Sequence, residues 1–248
     1  MSAVTFFFLT VSFIVAPTFR SNNKHLTHSV AKQIKEIPLP DGYERVHLPE
    51  NSFGYFLRQQ SLKSDNTVYL YNGQPKYNQT AQYAVLNVST GTKDLQQCAD
   101  AVMRLRAEYL KQQQASICFA DNAGKKYCWE QYKHRGWQGY LEAVYSMCGT
   151  ISLEKELRPR EWKNVAAGDV LIKGGSPGHA VIIVDVARHR ISGKVIFLLA
   201  QSYMPAQDIH VLQNFSDKQL SPWYRTPSAE TIATHEWTYY ATQLRTWR

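Results

Sequence analysis

The sequence predicts an α+β fold built on an antiparallel sheet, and three observations predict it. Residues 92–114, TKDLQQCADAVMRLRAEYLKQQQ, carry Leu95, Cys98, Ala99, Val102, Leu105, Ala107 and Tyr109 at largely helical spacing. Apolar side chains at a period near 3.6 mark an amphipathic helix. Residues 179–187 (HAVIIVDVA) and 195–201 (VIFLLAQ) are apolar runs joined by the polar RHRISGK, which reads as an antiparallel hairpin with its loop at 188–192. Helical and strand signals follow one another in mixed order, which favours α+β over a parallel βαβ repeat.

The elements run as follows. Residues 6–16 are almost wholly apolar. That run is too short for a bilayer-spanning helix, which needs about 20 residues, and fits the core of a secretory signal. Residues 1–20 are therefore expected to be a signal or anchor segment, 21–36 a polar linker, and 37–248 one domain with an N-terminal strand extension. TVYLY and YAVLNV are short strand candidates with an Asn72-Gly73 turn between them. The helix over 92–114 takes Thr92 or Asp94 as its N-cap, so Cys98 falls near its first turn on the apolar face. SICFADNAGKKYCWEQY reads as a second hairpin, GWQGYLEAVYSMC as a second helix, and SLEKEL as a short third helix capped by Ser152.

Composition narrows the function classes. The chain has 248 residues, net charge +8 and 44% hydrophobic residues, with a mean hydropathy of −0.39. These values describe an ordinary globular composition. The basic residues are scattered, and no stripe, zinc finger or aromatic RNA signature accompanies them, so nucleic acid is not an expected partner. The four cysteines, 98, 118, 128 and 148, form no C-x-x-C pair, which gives no support to a zinc ribbon or thioredoxin site. Cys118 and Cys128 flank the Asp121–Gly124 turn symmetrically, so a hairpin there opposes them within disulfide reach. Export permits that bond and leaves Cys98 and Cys148 free.

Several motifs fail on inspection. GGSPG matches G-x-S-x-G, but an apolar strand follows where a nucleophile elbow needs a helix. THEWTYY lacks the second histidine of H-E-x-x-H, and no phosphate-binding glycine loop is present. No metal or organic cofactor is expected.

His179 is different. It stands where Gly174–Gly178 gives way to the first strand of the long hairpin. Pairing Ala187 with Gly193 sets His179 directly opposite Gln201 on the same face. An amide can accept from one ring nitrogen and leave the other for proton transfer. Cys98, near a helix N-terminus where the dipole favours thiolate, is the matching nucleophile. The expected catalytic set is therefore Cys98, His179 and Gln201. Cys148 is the rival thiol, because it too precedes a short helix, although it also ends one.

The segments around these residues, with Gly168-Asp169 opening the preceding strand, resemble the NlpC/P60 branch of papain-like cysteine peptidases. That resemblance implies a papain-like antiparallel sheet packed against a Cys-bearing helix. It assigns Cys98 as nucleophile, His179 as base and Gln201 as third polar residue. The motif around the thiol is Gln-Cys-Ala-Asp in place of the usual Asp-Cys-Ser-Gly. DLQQCADAVMRLRAEYL, GDVLIKGGSPGHAVIIVDVA and LLAQSYMPAQDIHVL resemble, more closely and over most of residues 37–248, a bacterial family known as domain of unknown function 4846. That second resemblance implies an exported or cell-envelope protein and brings no activity.

The expectation is an exported thiol hydrolase that cuts an amide bond in cell-wall peptide or a peptide-like substrate, in the periplasm or envelope. Two other readings use the same sequence. A non-catalytic envelope module would bind glycan or peptide through aromatics, with Trp223 and Tyr224 as the substrate-binding pair beside Trp137 and Trp237. A structural envelope protein would have all its cysteines paired.

Overall fold

In the computed structural model, the structure describes Met1 and residues 31–248. The expected signal segment and residues 21–30 of the expected linker lie outside the described residues, Met1 apart. The remainder of that linker is not a linker. Ile34 and Ile37 are fully buried, and Leu62 N–H donates to the Lys32 carbonyl at 2.7 Å. Of these two isoleucines Ile34 belongs to the expected linker and Ile37 to the expected domain, and residues 31–248 form one unit.

In chain order the elements are β1 (Tyr43–Arg45), α1 (Phe53–Arg58), β2 (Gln82–Val85), α2 (Cys98–Gln112), β3 (Cys118–Ala120), β4 (Lys126–Cys128), α3 (Trp129–Tyr132), α4 (Gly136–Met147) and α5 (Thr150–Glu156). There follow β5 (Leu157–Pro159), β6 (Val170–Lys173), β7 (His179–His189), β8 (Val195–Gln201), β9 (His210–Leu212), β10 (Tyr224–Arg225), β11 (Thr231–Ala233), β12 (Thr238–Tyr240) and β13 (Leu244–Trp247). The result is a mixed α+β fold around a nine-stranded antiparallel sheet, ordered β2-β9-β8-β7-β6-β13-β5, with β1 added on β7 and β10 on β8.

Both faces of the sheet are covered, which is why its central strands read as continuous apolar runs. One face buries Ala180, Ile182, Val184, Leu198 and Ala200 under α2, with α1, α4 and α5 beside it. The other buries Val181, Ile183, Phe197 and Leu199 under Ile232 and Tyr239 of the small β11–β12 hairpin.

Three expected local features differ. TVYLY makes only isolated bridges at Tyr69 and Leu70, and β2 pairs with β9 instead. The Asn72-Gly73 turn exists, with Gly73 N–H donating to the Leu70 carbonyl at 2.9 Å, but it does not join two sheet strands. α5 starts at Thr150, and Ser152 lies inside it, where its hydroxyl takes the Gly149 N–H at 3.0 Å.

The β3–β4 hairpin forms as expected. Cys118 pairs with Cys128 in register, and the two are disulfide-bonded with Cα atoms 4.0 Å apart. Cys98 and Cys148 are free. Removing the bond with a double serine variant is expected to cost about 2–3 kcal/mol, since it closes a short loop in the unfolded chain. Urea midpoints of the oxidised protein and the variant measure the loss; equal midpoints would contradict it.

Candidate active site

α2 begins at Cys98 itself, later than Thr92 or Asp94. Gln97 is the N-cap, and its backbone N–H donates to the Asp100 carboxylate at 2.9 Å. Asp94 is used elsewhere, taking the Ala206 N–H at 2.6 Å and so tying the helix approach to the loop after β8. Cys98 is thus the first helical residue, with the unpaired donors of a helix N-terminus around it. The backbone N–H groups of Ala180, Ala99 and Cys98 act to lower its pKa. Ala180 is the residue after His179.

The expected thiolate is not what this setting produces. Burial pushes the Cys98 thiol above its ordinary pKa, Asp100 adds to the rise, and the three N–H groups only offset part of it. Desolvation of a nearly buried sulfur outweighs the helix terminus.

β7 and β8 bring His179 and Gln201 together, but not by the expected register. The turn sits further along: His189 N–H donates to Lys194, and Arg188 pairs with Val195. Continued unbroken, that register would set Gln201 opposite Ile182 and aim it at the sheet face away from His179. A β-bulge between Ile183 and Asp185 adds one residue to β7. Beyond it Ile182 pairs with Ala200, so Gln201 comes level with Val181, two residues from His179 and on the same face. The pair is diagonal, within reach of long side chains. The His179 Nε2 to Gln201 Oε1 distance is 3.0 Å, with both residues buried.

The hydrogen-bond chain fixes the imidazole's tautomer. Gln201 Nε2 donates to the Glu236 carboxylate at 2.8 Å, and a carboxylate can only accept. Gln201 Oε1 therefore faces His179, and His179 Nε2 carries the hydrogen. Glu236 is anchored by Lys76. Burial pushes its carboxyl up, but the Lys76 ammonium, Gln201 and His210 together hold it below the usual value. His210 Nδ1 donates to the Asp208 carbonyl at 2.9 Å, which turns its Nε2 towards Gln201. The remaining ring atom, His179 Nδ1, is buried and has no partner. It is a bare lone pair.

Tyr203, Trp237 and Tyr239 enclose the imidazole, with ring centroids 5.0, 5.6 and 6.1 Å away. No hydrogen bond joins His179 Nδ1 to the Cys98 thiol. Burial drops His179 to about 4, against which Gln201 and Glu236 pull upwards. Thiol and imidazole are accordingly both neutral at rest.

The glycine-rich stretch is required by close approach. A Cβ on Gly178 would lie 2.5 Å from Thr150 Oγ1, 2.6 Å from the Gly175 carbonyl and 2.7 Å from the Lys173 carbonyl. Only glycine lets the loop fold against α5 and deliver His179 to its position. That loop and the start of α2 border a cleft of about 350 Å³, which Cys98, Ala99, Cys148 and Thr150 also line.

The structure also corrects the aromatic candidates. Trp223 and Tyr224 are 1% and 4% exposed; they bond to the Pro38 and Gln213 carbonyls and belong to the two cores. Trp137 packs on Trp129 and Tyr140. Trp237 alone of the four stands at the site. Sequence reading missed Glu236, Lys76, Tyr203 and Tyr239. The one signal in the sequence is Glu236 in THEWTYY, a segment that matches no zinc pattern. Among the described residues no group of His, Cys, Asp and Glu is arranged to hold a metal, and no helix is long and apolar enough to cross a membrane.

His179 gives a pH dependence. An unfolded histidine titrates near 6.5, whereas the folded one binds its proton only near 4. Between those values the unfolded state holds more protons, so stability is complete above about pH 6.5 and falls as pH drops towards 4. The loss from this group reaches about 3 kcal/mol. Urea midpoints at neutral pH and at about pH 4.5 should differ more in the native protein than in His179→Gln. An equal pH slope would remove His179 as the cause.

No curated protein and no solved structure matches the chain. A family model does match, over residues 34–136 and 129–246. The site described above therefore belongs to a member of the family described as Domain of unknown function (4846), to which this chain belongs.

Proposed function

We propose that the protein is a thiol hydrolase of amide bonds, acting on cell-wall peptide or a peptide-like substrate after export to the cell envelope. The observation that carries this reading is the buried, unpartnered Nδ1 of His179, held as a lone pair by the Gln201–Glu236 chain, with Gly178 next to it lining one cleft with Cys98. A histidine kept only for packing has no need of an amide and a carboxylate to set its tautomer. The papain-like reading calls for these parts: a thiol at a helix start, an imidazole at a strand start, and a polar residue on the next strand.

The chemistry balances without a cofactor. His179 Nδ1 takes the Cys98 proton as the sulfur attacks the carbonyl carbon. The N–H groups of Cys98 and Ala99, at the open start of α2, receive the oxyanion. The imidazolium returns its proton to the amide nitrogen, the C–N bond breaks, and the amine leaves behind a thioester. His179 then deprotonates water, which splits the thioester into a carboxylate and the regenerated thiol. Throughout, Nε2–H stays on Gln201.

The raised pKa and burial of Cys98 favour a second reading, an envelope module that binds glycan or peptide without cleaving it. Incubation with a mixture of cell-wall peptides, following new primary amines and matching carboxylates, separates the two. The hydrolase releases both, and Cys98→Ala does not. Binding without release, identical in protein and variant, would establish the module instead.

A further inference from the structure

We propose that a groove beside the C-terminal half of α2, separate from the Cys98 cleft, binds an extended chain bearing oxyanion groups, with the Arg106 guanidinium as its anchor. The groove measures about 460 Å³ and shares no lining residue with the cleft. Arg106, Lys126, Lys155 and Arg248 line it, with Trp247 and Glu156.

Arg106 is the informative residue. Its Cζ lies 5.0 Å from the Phe53 ring, 5.2 Å from Tyr109 and 4.9 Å from Trp247. Three rings hold a half-buried cation by cation–π attraction and fix its orientation. Arg104, on the same helix, pairs with Glu108, but Arg106 has no carboxylate partner among the described residues. Arg106 is only partly buried and lines the groove. A rigid guanidinium with free donors is prepared for bidentate pairing with phosphate or carboxylate.

The other charges agree. Lys155 donates to the Asn122 carbonyl and Arg248 to the Lys155 carbonyl, both neutral acceptors. Glu156, the one acid in the groove, is turned to the Ala120 N–H. Four cations spread over one open groove, none with a carboxylate partner among the described residues, fit a run of negative groups better than a single ion. The net charge of +8 attracts such a chain over longer range.

Calorimetric titration of the whole protein with polyphosphate, poly-glutamate and pyrophosphate tests this. At least one polymer should bind at low salt, more tightly per molecule than pyrophosphate, and the tighter polymer identifies the oxyanion. Arg106→Gln should weaken that binding by about tenfold, with Arg106→Lys between it and the native protein. Lys126→Glu, on the exposed hairpin, should weaken it several-fold and carries the test even if Arg106→Gln does not fold. No polymer binding, or binding unchanged in the variants, would overturn the site. Pyrophosphate binding as tightly as the polymers would overturn the extended chain.

Discussion

Replacing Cys98 by alanine is expected to lower amide hydrolysis by a factor on the order of 10^4 or more, while Cys148→Ala leaves most of it intact. The two thiols line the same cleft, so location does not choose between them. Their helices do. Cys98 opens α2, the end of a helix that favours negative charge. Cys148 closes α4, its N–H bonded to the Val144 carbonyl at 2.8 Å. That end of a helix disfavours negative charge. Burial pushes the Cys148 thiol up to about 12, and Glu156 and Asp100 add to it. Turnover measured on a responsive cell-wall peptide decides the matter. Loss of activity in Cys148→Ala with Cys98→Ala unaffected would reverse the assignment.

Asp185→Ala is expected to destabilise the protein by about 3–5 kcal/mol and to dismantle the site from a distance. Asp185 is fully buried within β7. Arg45 donates to its Oδ2 and Arg58 to its Oδ1, both at 2.7 Å. Its Oδ1 also takes the Val186 N–H at 2.9 Å, which holds the backbone at the bulge. Removing the carboxylate leaves two guanidiniums facing an apolar core, a large fraction of a typical domain's whole stability. It also frees the bulge to relax, and without the bulge Gln201 turns to the other face of the sheet from His179. A lower urea midpoint together with loss of His179-dependent Cys98 reactivity is the expected result. A midpoint within about 0.5 kcal/mol of the native protein would show that the bulge does not depend on Asp185.

Much of this was legible in the sequence, for identifiable reasons. β7 and β8 were visible because strands covered on both faces need unbroken apolar runs, and the β3–β4 hairpin because its cysteines are symmetric about a turn. The His179–Gln201 contact was foreseen through a register that is not the real one. The assumed register lay two residues from the real one near His179, which preserves the face, while a bulge that no residue announces supplied the odd step. Trp223 and Tyr224 show the opposite failure: an aromatic pair looks the same in sequence whether it lines a groove or fills a core. Glu236 and Lys76 are 160 residues apart, and only the fold joins them. The thiol's pKa departs from the expected direction because a helix terminus can be read from sequence and desolvation cannot.

The most direct test of the central claim, that Cys98 and His179 work as one unit, is site-resolved alkylation. Iodoacetamide modification of Cys98 and Cys148 is followed by mass spectrometry from about pH 5 to about pH 9, in the native protein and in His179→Ala. Cys98 should be the faster thiol near neutral pH, and its rate should fall about tenfold or more without His179, while Cys148 stays slow in both proteins. Rapid labelling of Cys148 with Cys98 inert, or a Cys98 rate unchanged by loss of His179, would contradict the account.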